Sequence, residues 1–216
     1  MTPHPLDLRC YLVTSGTGRR TVEVAAEAAA AGAGVVQVRA KDATTAELLE
    51  LVLAVAGAVH SARPATRVLV DDRADVAAAA RARGAHVHGV HLGQDDLPVA
   101  DARALLGHDA VIGLTTGTLE LVRDSAGVAF DLDYLGAGPF RRTPTKDSGR
   151  EPLGLEGYPA LVRATMLPLV AIGDVTPADV PALSRTGVAG VALVRSVMEA
   201  PDPAAAVREV LDGMGA

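Results

Sequence analysis

The 216-residue chain predicts a closed, parallel (β/α)8 barrel, a TIM barrel, and three observations carry that prediction. Short, nearly continuous apolar runs recur eight times, as expected of parallel strands covered on both faces. Between them lie helix formers at amphipathic spacing, several ending in glycine where a helix C-cap belongs. Eight such units in about 210 residues fit the small end of this architecture, with an open doubly wound sheet as the alternative.

Taken in order, CYLVTS (10–15) is the first strand and TVEVAAEAAAAG (21–32) the first helix. VVQVRA (35–40) is followed by the helix TAELLELVLAVAGAVHSA (45–62), and RVLVDD (67–72) by DVAAAARARG (75–84). The remaining strands are GVHLGQ (89–94), AVIGLT (110–115), DYLGAG (133–138), PLVAIGD (168–174) and GVALVRS (190–196). In AIGDVTPAD, Thr176 is placed to cap a helix with Pro177 in its first turn. The first residues, by position, cover the bottom of the barrel. Glycine-rich loops separate the units without a long linker, so residues 1–216 are read as one domain.

Composition narrows the function. With 49% hydrophobic residues the chain can bury a large core. The net charge of -6, without a block of like charges, argues against a nucleic-acid partner. Two per cent aromatic residues and no tryptophan leave no base-stacking platform. Cys10 stands alone, so no internal disulfide forms, and its apolar surroundings make it a buried hydrophobe. The N-terminus MTPHPLDLRC has no basic segment followed by an apolar stretch, and no later run approaches the roughly 18 uninterrupted apolar residues of a membrane span. The expectation is a soluble cytoplasmic protein without a membrane partner. Oligomeric state is left open, a homo-oligomer included.

Barrels of this kind carry their catalytic groups at the C-terminal ends of the strands and in the loops that follow. The polar residues fall there. Arg39 and Lys41 close the second strand, Asp71 and Asp72 the third, Gln94, Asp95 and Asp96 the fourth, and Thr115 and Thr116 the fifth. Gly173 and Asp174 end the seventh, Arg195 and Ser196 the eighth. After the sixth comes RRTPTKDSGREP (141–152), a polar loop with no hydrophobic period of its own.

Carboxylates on neighbouring strands can converge on one hard cation, and magnesium accepts one or two of them while keeping water and phosphate oxygens. Asp72 and one of Asp95 and Asp96 are the candidate ligands; singly, each would read as a helix cap or turn residue. Gln37, Arg39 and Lys41 alternate and so share a side, while Lys146 arrives from the polar loop across the rim. Opposed to a metal, these cations describe a diphosphate clamp that stabilises charge growing on a leaving group. The loops after strands seven and eight commonly hold a phosphate through backbone N–H groups, and Gly173 permits close approach. The histidines are uninformative: by alternation His86 and His88 share a side and His91 takes the other, which disfavours a zinc cluster.

With these residues in place the sequence resembles the thiamine phosphate synthase family, from the first strand to the last helix. The matching pieces are QVRAK, VDDRADVA, HLGQDDLP, DYLGAGPF…TPTK…LGLEGY, VAIGDVTP and GVALVRSV, and their order and spacing make the match specific. The family joins a hydroxymethylpyrimidine diphosphate to a thiazole phosphate, releasing diphosphate and forming thiamine phosphate. The resemblance implies that Gln37, Val38, Arg39, Ala40 and Lys41, with Asp71, Thr115 and Lys146, bind the pyrimidine diphosphate. Arg39, Lys41 and Lys146 act as catalytic cations, and Asp72 with Asp96 holds Mg2+. Thr143, Pro144 and Thr145 hold the thiazole phosphate with backbone at Gly173, Val194 and Arg195. The reaction it implies is dissociative: diphosphate leaves, a pyrimidine cation forms and the thiazole nitrogen attacks. The polar loop closes over both substrates, hinging at Gly149 and excluding water.

Three departures stand out. Asp71 replaces the usual Asn before the metal Asp; Asp174 replaces the second glycine of a GG pair and is expected to turn toward the following helix, with Arg195 offsetting it. Gly117 stands where relatives often have a histidine. A thiazole tautomerase shares much of the motif order but tends to use that histidine and to lack the lysine at 41. A non-catalytic sensor of thiamine intermediates is the reading from a different class, and the retention of Lys41 and Lys146 speaks against it.

Overall fold

A computed structural model describes residues 6–142 and 151–215. Its strands are β1 (Cys10–Val13), β2 (Val35–Val38), β3 (Arg67–Asp71), β4 (Gly89–Leu92), β5 (Val111–Thr116), β6 (Tyr134–Ala137), β7 (Leu169–Ile172) and β8 (Gly190–Leu193). All pair in parallel in chain order, and β8 pairs back onto β1 with Tyr11 opposite Ala192, closing the barrel. The helices are α1 (Arg19–Ala31), α2 (Thr45–Ala62), α3 (Ala74–Ala82), α4 (Val99–Leu106), α5 (Leu119–Asp124), α6 (Gly154–Arg163), α7 (Val180–Ser184), α8 (Arg195–Met198) and α9 (Pro203–Met214). The predicted strand starts agree to within a residue, but most predicted ends run one to three residues too far. The polar residues past each ladder have left the sheet for the loops, so an apolar run with a polar tail overstates strand length.

Strand alternation sorts the side chains into two cores. Outward residues such as Leu12, Val36, Val68, Val90, Ile112 and Leu135 pack against the helices. Inward residues Tyr11, Val13, Val35, Leu69, Tyr134, Val170 and Ala192 form a smaller core inside the barrel. Leu6 and Leu8 join it from below, as expected of the N-terminal residues, whereas residues 1–5 lie outside the described chain.

Local chemistry fixes the helix ends. Gly32 caps α1 at φ 115°, its N–H reaching the carbonyls of Ala28 and Ala29. Thr44 and Glu47 form a reciprocal capping box at α2. The expected cap at Thr176 is present: its N–H and hydroxyl both donate to the Asp179 carboxylate, and Pro177 opens the turn that leads into α7. By length and composition α2 could cross a membrane, but Leu48, Leu51, Val52, Val55, Ala56 and Val59 bury one face of it in the outer core. Cys10 is buried and its thiol is pushed up to about 12 by that burial, which leaves it an inert apolar group.

The Val68 N–H donates to Nδ1 of His88 at 3.1 Å, and the His86 ring meets that of His88 edge-on at 4.4 Å. Burial, and then the neighbouring His86, Arg67 and Arg81, lower the His88 pKa to about 3. The unfolded chain takes up this proton near its ordinary value of about 6.5. Stability from neutral His88 is therefore full above that pH and declines as pH falls toward 3. His88→Asn keeps an acceptor for Val68 and removes the titration. In urea melts the unaltered chain should lose about 1 kcal/mol more than the variant between pH 7 and 5, discounted for partial exposure.

Candidate active site

A cavity of about 410 Å³ opens at the C-terminal ends of the strands, the end to which the polar residues were assigned. Gln37, Arg39, Lys41, Asp71 and Asp72 line one side and Gly173, Asp174, Val194 and Arg195 the other. Asp71 closes β3 pointing inward, so alternation alone would send Asp72 outward. A left-handed φ of 59° at Asp72 breaks the alternation and keeps both carboxylates on the cavity. Asp174, beyond β7, shares the inward parity of Val170 and Ile172 and also takes a left-handed φ, of 56°; among the described residues these two aspartates are the only non-glycines in that region. Each conformation costs on the order of 1 kcal/mol, the kind of strain found where a side chain must be aimed.

The first wall is a dense charge cluster. Arg39 Nε lies 3.4 Å and Lys41 Nζ 3.6 Å from Asp71 Oδ2, Lys41 also donates to Asp72, and the Gln37 amide donates to Asp71. Burial, reinforced by Asp72, pushes the Asp71 carboxyl up to about 6, against the pull of Lys41, Arg39 and Gln37. Burial disfavours the Lys41 ammonium, but Asp72 and Asp71 together raise its pKa above the ordinary value. Asp96 accepts the Gly93 N–H at 2.6 Å and faces Asp72; burial first and Asp72 second raise its pKa. Two facing carboxylates in a partly buried site are the donor set of a hard divalent cation that completes its shell with water and phosphate oxygens. Asp95 is exposed and Asp75 pairs with Arg73, whereas Asp96 is half-buried and faces Asp72.

The cavity floor is a continuous hydrogen-bonded chain. The Thr115 hydroxyl meets Nε2 of His91 at 2.9 Å, His91 Nδ1 meets the Tyr134 hydroxyl at 2.8 Å, and Tyr134 meets the Tyr11 hydroxyl at 2.7 Å. Tyr11 donates to Gln37 Oε1 at 2.6 Å, and Gln37 passes the chain to Asp71. Burial pushes both phenols well up, so they stay neutral hydroxyls. Space for the rings comes from two glycines: a Cβ at Gly113 would lie 2.1 Å from the Tyr134 ring, and one at Gly136 would lie 3.0 Å from His91.

Opposite, Gly173 at φ 105° packs so tightly on Pro139 that a Cβ would lie 2.6 Å from its Cα, so its closest approach is to the chain leaving β6. Asp174 does not turn toward the following helix: it lies on the inward parity of β7 and lines the cavity, where Arg195 Nη2 meets its carboxylate at 2.5 Å. The Arg141 N–H bonds to Gly173 O at 3.0 Å and its guanidinium pairs with Asp179, while Leu153 N–H returns to Pro139 O at 2.8 Å. Both flanks of the polar loop are thus tied beside this wall. Thr143, Pro144, Thr145, Lys146 and Gly149 lie outside the described residues. Val38 is fully buried in the outer core and Ala40 packs against it, so only their backbone can serve the cavity. Thr116 is also buried, its hydroxyl donating to Gly136 O.

The family model described as thiamine monophosphate synthase matches residues 10–197. The chain belongs to this family. It is 60% identical over 206 residues to a thiamine-phosphate synthase of Corynebacterium jeikeium, covering 95% of this chain and 94% of that one. A thiamine-phosphate synthase of Corynebacterium efficiens is 58% identical over 216 residues, covering 100% and 98%. Among solved structures, a thiamine phosphate pyrophosphorylase from Pyrococcus furiosus superposes with a TM-score of 0.83 at 30% identity, over 97% of this chain and 96% of that one.

Family motifs led to the walls of the cavity but not to its floor. His91, which the histidine pattern alone does not single out, sits inside the barrel, while the rings of His86 and His88 cluster outside it with that of His60. Tyr11 and Tyr134 were also missed. Their signal was present: they are tyrosines in otherwise aliphatic strands, on the inward parity that Gln37, Asp71 and Thr115 share. Removing the central hydroxyl in Tyr134→Phe leaves His91 Nδ1 and the Tyr11 hydroxyl short of a partner. Urea denaturation should show a loss of about 1–3 kcal/mol with an unchanged m-value.

Proposed function

We propose that the chain transfers the pyrimidinylmethyl group of a hydroxymethylpyrimidine diphosphate to the nitrogen of a thiazole phosphate, releasing diphosphate and forming thiamine phosphate. Family membership supports the reaction class. The observation that carries the reading is the meeting of Arg39 and Lys41 with Asp71, Asp72 and Asp96 above a floor of neutral hydrogen-bonding groups.

In this reading the pyrimidine ring lies on the floor against Tyr11, His91 and Tyr134. Asp71 accepts from its amino group, with Gln37 and Thr115 at either end of the chain that fixes the floor, and the backbone of Val38 and Ala40 runs alongside. The diphosphate then lies at the mouth. Arg39 and Lys41 turn from the carboxylates toward its oxygens, joined by Lys146 from the loop. Asp72 and Asp96 are the residues that would hold Mg2+, which when bound supplies positive charge at the leaving group. As the carbon–oxygen bond to diphosphate breaks, the electron pair departs with the diphosphate, and the preformed cations stabilise it without having to reorganise. The cation left on the pyrimidinylmethyl group faces Asp71 and the aromatic floor until the thiazole nitrogen attacks. Thr143, Pro144 and Thr145, with Gly173, Val194 and Arg195, hold the thiazole phosphate, and the loop over both substrates excludes water. Both substrates are small molecules, and a cytoplasmic setting suits them.

Thiamine phosphate should form from the two substrates with magnesium and stop with a chelator. Lys41→Ala and Asp72→Ala should each lower kcat/KM by about 100- to 1,000-fold. Binding of both substrates without product in the unaltered chain would overturn the synthase reading in favour of a sensor.

A further inference from the structure

We propose that the Arg195 guanidinium, positioned by Asp174, makes the site demand a phosphate on the thiazole substrate, a role that rests on the synthase reading above. The two residues lie just beyond adjacent strands, two and three positions past the paired Ile172 and Ala192 of β7 and β8. Their ion pair therefore spans the rim on the wall away from Asp72 and Asp96, and both side chains line the cavity.

Stability does not explain this pair. The Arg195 side chain is 43% and the Asp174 side chain 34% exposed, and an ion pair in that setting adds little. The left-handed backbone at Asp174 costs at least as much as the pair returns. What it achieves is aim: a long, flexible cation is held on the cavity instead of being left to solvent.

The other described cations near the cavity are committed. Arg39 and Lys41 pair with Asp71 and Asp72 on the diphosphate side, and Arg141 lies over the Phe140 ring with its guanidinium on Asp179. Arg195 has one carboxylate partner among the described residues and five N–H donors, so it can engage a phosphate without releasing Asp174. Without it, Asp174 and Glu199 on the same rim would present an incoming phosphate with two negative charges. Backbone contacts at Gly173 and Val194 read shape; the guanidinium reads charge.

The test is steady-state turnover of the full chain with the thiazole phosphate and, separately, with the corresponding thiazole alcohol. Arg195→Ala should raise KM for the thiazole phosphate about ten- to a hundredfold. It should change KM for the pyrimidine diphosphate and turnover of the alcohol far less, so preference for the phosphorylated substrate shrinks. Arg195→Lys should recover part of it, because a point charge lacks the planar fork. Asp174→Asn should raise the same KM a few-fold in the unaltered background and have no effect beside Arg195→Ala, the signature of a positioning residue acting through its partner. An unchanged preference in Arg195→Ala, or a lower KM in Asp174→Asn, overturns the proposal. Absence of product from the unaltered chain would instead count against the synthase reading. In that case calorimetric titration with the thiazole phosphate still decides: equal affinity in the unaltered chain and Arg195→Ala overturns the role given to Arg195.

Discussion

The hydrogen bond between the Tyr11 and Tyr134 hydroxyls, 2.7 Å long and fully buried, divides the barrel interior in two. Toward the N-terminal ends the interior is an apolar plug of Leu8, Val35 and Leu69. Toward the C-terminal ends every inward position from β2 to β5 that borders the cavity is polar: Gln37, Asp71, His91 and Thr115. The phenols present an apolar body to the plug and a polar tip to the site. Among the described residues no buried side-chain nitrogen or oxygen lacks a partner, so the floor is fixed before any substrate arrives.

A fixed floor gives the charged wall something to stand on. Gln37 links the two, accepting from Tyr11 and donating to Asp71. Asp71 introduces an extra negative charge where relatives are expected to carry an amide, yet it is surrounded by Arg39, Lys41 and Gln37. The cost of burying it is offset by cations that the proposed reaction needs in any case. The same logic holds across the cavity, where Asp174, the other departure, is matched by Arg195. Each added carboxylate has a cation within reach, so neither leaves an uncompensated charge facing a phosphorylated substrate.

The fold was legible because parallel strands buried on both faces and helices with one buried face leave different periods in the sequence, and the eight units were long enough for both to register. The walls of the cavity were legible for a related reason: in a closed parallel barrel, polar residues just past an apolar run land on one rim. Arg39, Lys41, Asp71, Asp72, Gly173 and Arg195 all came from that rule. The floor was not, because Tyr11, His91 and Tyr134 come from three strands far apart in sequence and meet only when the barrel closes. Glycines at 113 and 136 make room for their rings, and a glycine in a strand does not announce what it makes room for.

By itself the sequence determined the order of the strands, the rim on which chemistry gathers and the family motifs spaced along it, since these depend on local period and on the one-dimensional order of residues. Tertiary structure alone decided which neighbours of a pair face the cavity. The left-handed backbone at Asp72 overrode the alternation of its strand and turned that carboxylate toward Asp96, while Asp174, on the inward parity of its own strand, meets Arg195. Period-2 reasoning assumes extended backbone, and it fails where packing of the following segment holds a residue at positive φ.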